Sequence, residues 1–125
     1  MPKTKPLKSY RIQNDVYSYV LYLLAWGTQD KANAWATKKL EPNQPFDLFN
    51  EYMQGRCYFV GDGKSHVLYL PYGDGTGIGT VAHEALHSVH HVLSRSGMQA
   101  LSDETEEAYA YLMDWTMREI VRRIY

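Results

Sequence analysis

The residues with the clearest chemical potential lie in Thr80-Val81-Ala82-His83-Glu84-Ala85-Leu86-His87-Ser88, an H-E-x-x-H string inside a segment with helical patterning. On an α-helix of about 3.6 residues per turn, positions four apart point the same way, so His83 and His87 aim two imidazoles at one point, as a metal pincer does. Glu84 is turned by roughly 100° from His83 on the same cylinder. Its carboxylate can then reach a water beside the metal without being a ligand. The chemistry this allows is metal-assisted hydrolysis, in which the imidazoles bind and the carboxylate moves a proton. Such a site also needs a third protein ligand, a helix beneath the pair and an open position for water.

The helix carrying the string extends from about Thr80 to near Gly97, a residue suited to a left-handed C-cap. Val81, Ala85, Leu86, Val89, Val92 and Leu93 supply its packing stripe, and His83, His87, His90 and His91 lie elsewhere on the cylinder. His90 and His91 read either as polar residues on a partly wet face or as supports of the metal site. Upstream, Pro71 to Gly79 has glycine at every second position from Gly73. It lacks the Lys-Ser or Lys-Thr of a phosphate loop and the G-x-G-x-x-G spacing, so it reads as backbone freedom at the mouth of a site.

Arg56 to Val60, a turn at Gly61-Asp62-Gly63-Lys64 and His66 to Leu70 predict a β-hairpin. His66 reads as a strand histidine, with a metal role as the lesser alternative. The His66–Leu70 strand is expected to offer its edge to an extended peptide. Val16 to Trp26, rich in aromatic and branched residues at alternating positions, predicts a strand buried on both faces. Gly27 breaks it, and Thr28 or Asp30 caps a helix over 31–40 that Pro42 and Pro45 end. Phe46 to Tyr52 reads as either a helical turn or an irregular crossing. In the last helix Ser102 is the expected N-cap, with Asp103, Glu104, Glu106 and Glu107 at the start and Arg118, Arg122 and Arg123 at the end, complementing the helix dipole. Between them, residues 108–115 are largely apolar and suited to packing on the first helix.

These elements predict one α+β domain over residues 1–125, a small sheet with a hairpin packed against the H-E-x-x-H helix and a C-terminal helix, with residues 1–10 as a basic flexible tail. A chain of 125 residues, 45% hydrophobic and 22% charged, suits a single modest core. The formal net charge of -1 argues against nucleic acid and anionic membrane as partners. Cys57, the single cysteine, excludes an internal disulfide, and no apolar run approaches the roughly 20 residues of a membrane span. The expected location is the cytoplasm.

With H-E-x-x-H at 83–87 and residues 88–106, nineteen in all, before Glu107, the chain resembles the zincin metallopeptidases, and within them the gluzincin group. It is most similar to phage-encoded zincin-like proteins that pair H-E-x-x-H with an E-x-x-A-Y-L helix, here Glu107-Ala108-Tyr109-Ala110-Tyr111-Leu112. The likeness covers mainly residues 66–125. It implies a zincin-like fold, Zn²⁺ as cofactor, His83, His87 and Glu107 as metal ligands, Glu84 as general base, and a peptide or protein as substrate, in the host cytoplasm. Glu106 and Glu104 are the alternative third ligands. The chain departs from the pattern at Tyr111, where some gluzincins carry an aspartate that orients a histidine; Asp114 is the substitute in this sequence. A metzincin site is excluded because its third histidine would fall at Leu93. Tyr72, Tyr109, Tyr111 and His66 are the candidate donors to a developing oxyanion. The rival expectation is a catalytically silent zincin-shaped protein whose metal is structural and which binds a host or phage protein.

Overall fold

The computed structural model describes residues 5–40, 49–50, 53–60, 64–98 and 100–125. Its elements are β1 (Lys8–Asn14), β2 (Tyr19–Ala25), α1 (Gln29–Lys39), β3 (Arg56–Phe59), β4 (Ser65–Leu70), a short 3₁₀ turn (Gly73–Gly75), α2 (Ile78–Arg95) and α3 (Glu106–Ile124). The turn at Gly61–Gly63, the prolines Pro42 and Pro45 and most of the Phe46–Tyr52 stretch lie outside the described residues.

The four strands form one mixed sheet in the order β1-β2-β4-β3. β1 pairs antiparallel with β2, β2 parallel with β4, and β3 antiparallel with β4. The parallel pair requires a crossover, and α1 lies on the connection between its strands. Alternation along β2 divides its side chains between two cores: Leu21, Leu23 and Ala25 join residues of α2 and α3, while Leu24 joins Ala32 and Ala36 of α1. The sheet is thus covered on both faces, which is why β2 reads as an almost unbroken apolar run.

Local chemistry sets the ends of the helices. Thr28 caps α1 by accepting the Lys31 N–H at 3.3 Å. At the end of α2, Gly97 has φ +94°, the Met98 N–H bonds the Leu93 carbonyl at 2.7 Å and the Gly97 N–H bonds that of Ser94 at 3.0 Å. This is a Schellman closure, and Met98 packs against the core as the motif favours.

Four expectations are corrected. Lys8, Ser9 and Tyr10 belong to β1 and not to a tail. α3 starts after Thr105 and not after Ser102: Thr105 holds the N-cap position without a side-chain cap, its hydroxyl being bonded to the Ala100 carbonyl and the Ser102 N–H in a preceding turn, which leaves Asp103 and Glu104 outside the helix. β4 lies inside the sheet with both edges paired, and among the described residues the outermost strand on that side is β3. The glycine-rich loop is anchored: Gly73, at φ +53°, lies so close to the Trp26 indole that a Cβ there would stand 2.0 Å from Nε1, and that indole donates to Asp74 Oδ1 at 3.3 Å. Gly75, Gly77 and Gly79 do not adopt positive φ.

Candidate metal centre

Helix α2 places the H-E-x-x-H residues by rotation alone. Its buried stripe, Val81, Ala85, Val89 and Val92, faces the core. His83 and His87 fall on the exposed side, and Glu84 turns inward. The Nε2 atoms of His83 and His87 stand 3.2 Å apart, with rings 4.9 Å between centroids and 78° between planes. Two nitrogens bound at 2.0–2.1 Å to one tetrahedral zinc are separated by about 3.3 Å, so the spacing suits a shared cation. Glu84 Oε1 lies 3.9 Å from His83 Nε2, and while the His83 side chain is 68% exposed that of Glu84 is 10% exposed. Among the described residues, His83, Glu84 and His87 form the group whose candidate ligand atoms all lie within 4.8 Å of one another.

Glu84 is held under the edge strand. Alternate residues of β3 meet successive turns of α2: Gly55, just before the strand, lies against Thr80 and Glu84, Cys57 feels the Glu84 charge, and Phe59 stacks on His91 with 3.9 Å between centroids and 8° between planes. Burial, reinforced by Glu84, pushes the Cys57 thiol up to about 12. It therefore stays protonated at neutral pH.

The remaining histidines have other surroundings. His66 is fully buried, its Nδ1 lies 2.7 Å from the Ser88 hydroxyl, and its ring is packed among those of Tyr19, Phe59 and His91. His91 is held below the usual histidine range by burial, then by the Arg95 and His90 charges. His90 lies 3.4 Å from the Ser94 hydroxyl.

The acids of α3 are not members of the group formed by His83, Glu84 and His87. Tyr109 lies 6.5 Å from His90 between ring centroids, and the Tyr125 hydroxyl donates to the Thr76 carbonyl, so α3 runs antiparallel to α2 with its start beside the C-terminal half of α2. Glu106 and Glu107 open that helix on exposed positions, and neither they nor Glu104 belong to the 4.8 Å group. Asp114 is paired with Arg118 at 3.0 Å. Of the candidate oxyanion donors, Tyr109 and His66 are buried and Tyr72 and Tyr111 exposed.

The buried polar residues beneath β3, Ser88 with His66, are a feature the strand-by-strand reading passed over. The signal was present, since Ser88 follows Glu84 by four and so shares its face of the helix. Among the described residues no helix is long and apolar enough to cross a membrane. No protein-family model, curated protein or solved structure matches the chain.

Proposed function

We propose that this chain is a metal-dependent hydrolase that cleaves a peptide amide, with His83 and His87 holding a divalent cation, zinc by the chemistry of the donors, and Glu84 as the proton-transferring base. The observation that carries the reading is the 3.2 Å separation of the two Nε2 atoms with the Glu84 carboxylate turned in beside them. Zinc, when bound, supplies a Lewis acid and lowers the pKa of a water to about 7. Glu84 then accepts a proton from the attacking water and delivers it to the leaving amine nitrogen, one carboxylate serving both transfers. Its shielded position under β3 keeps it in one place between the two steps. Among the described residues β3 is the outermost strand, which supports an extended peptide as the substrate, since a strand added there runs alongside the helix that carries the pair.

A specific observation favours a second reading. The described residues bring two imidazoles and the base together but no separate third ligand, one fewer than a catalytic zinc site uses. In that reading the third donor comes from another molecule, and the chain is a binding protein whose metal joins it to a partner. Turnover of a peptide library separates the two. The hydrolase reading expects cleavage that a chelator stops, and Glu84→Gln to lower it by about 10²- to 10⁴-fold while the metal stays bound; undiminished cleavage by that variant would remove the mechanism.

A further inference from the structure

We infer that Gly55 is a positioning residue for Glu84: the absence of a side chain at the foot of β3 leaves the space in which the Glu84 stem lies, and so sets where its carboxylate stands. The inference rests on the hydrolase reading for its functional meaning, but its structural part stands independently.

A Cβ at Gly55 would lie 3.0 Å from Glu84 Cγ, 3.3 Å from Leu70 Cδ2 and 3.3 Å from Thr80 Cγ2. The shortest of these contacts is to the stem of the base itself. This is tighter than ordinary carbon contacts of about 3.5–4.0 Å, so a methyl group here requires the Glu84 methylene to give by a few tenths of an ångström. Leu70 and Thr80 close two other sides, which leaves the longer glutamate side chain as the group with most freedom to yield.

The backbone gives no other reason for glycine. Gly55 is not among the residues with positive φ, in contrast to Gly27, Gly73 and Gly97, so any L-residue fits its conformation. Glycine beside a strand carries an entropic cost and offers nothing to pack, and it is characteristic of places where something else must approach closely. Here the approaching group is Glu84. Cys57, two residues on, is near enough to Glu84 for the carboxylate charge to push its thiol up further.

A base displaced by up to about 1 Å can lose as much as 10²-fold in rate. Gly55→Ala is therefore expected to lower kcat by up to about tenfold with bound zinc retained, because the nearest atoms the added methyl would meet belong to Glu84, Leu70 and Thr80 and not to His83 or His87. The decisive experiment is a double-mutant cycle on the full chain, Gly55→Ala and Glu84→Ala alone and together, read by thermal melting without metal and by the structure of Gly55→Ala. The expected result is a lower Tm for Gly55→Ala with Glu84 present, no further loss when Glu84 is already alanine, and a displaced Glu84 side chain. Equal losses of Tm in both backgrounds, or a Glu84 side chain that has not moved, would overturn the inference. If wild-type protein cleaves no peptide yet the cycle shows the coupling, the hydrolase reading fails and the positioning of Glu84 by Gly55 stands.

Discussion

His83 and His87 lie within about two turns of His91 on the same helix, yet the two regions meet opposite surroundings. The first pair lies on the exposed side of the helix with Nε2 atoms 3.2 Å apart and the Glu84 carboxylate 3.9 Å from His83. The second region is a packed one, in which the His91 ring lies flat on Phe59 and at right angles to His66, and His66 is bonded to Ser88 and hemmed in by Tyr19. Residue type is the same in both. What differs is whether two ring nitrogens share an open point, and that is decided by what packs over each stretch of the helix: His83 and His87 are exposed, while His91, four residues on, is covered by Phe59 of β3.

The difference predicts different losses. His66→Ala should be the most damaging to stability, since it empties a buried ring's volume and leaves the Ser88 hydroxyl without its partner; a loss of about 2–4 kcal/mol in urea denaturation is expected. His83→Ala, on the exposed face, should stay within about 0.5 kcal/mol in metal-free protein. Equal losses would erase the distinction between a structural and a binding cluster.

Glu107→Gln sharpens the comparison from the side of the metal. The position of Glu107 at the exposed start of α3 predicts zinc affinity within about threefold of wild type. A fall of about 10²-fold would instead put this carboxylate on the metal and require the first turn of α3 to swing toward His87.

The smallest expected effect is a pH dependence. His91 is held below its ordinary value of 6.5 in the folded chain, so at higher pH it is neutral folded or unfolded. As pH falls below about 6.5 the unfolded chain takes up the proton first, and stability drops until pH passes the folded value. His91→Gln should flatten part of this slope in denaturation midpoints measured between about pH 7 and 5. An unchanged slope would mean that burial against Phe59 does not govern this ring.

Local signals were legible where local physics decides. Thr28 as the cap of α1, Gly97 as the closure of α2 and the antiparallel strands of the hairpin all follow from a few neighbouring residues. So does the convergence of His83 and His87, since four residues on a helix fix it. The start of α3 was less legible because Ser102, Asp103 and Thr105 are all good caps, and the hydrogen bond from Thr105 to Ala100 decides among them. β1 was hidden by its edge position: Ile12 and Asn14 are its buried residues, and Lys8 and Arg11 give the segment the look of a solvated tail. Strand order is non-local, and it alone turned β4 into an interior strand and made β3 the outermost strand among the described residues. The relation of Gly55 to Glu84 spans 29 positions in the chain (84 − 55 = 29) and leaves no mark in either neighbourhood.

Metal content of the purified protein tests the central claim most directly. One equivalent of zinc in the wild type, lost in His83→Ala and in His87→Ala but retained in His66→Ala and His91→Ala, is the predicted result. Protein that takes up no zinc, or loses it equally when the packed histidines are replaced, would contradict it.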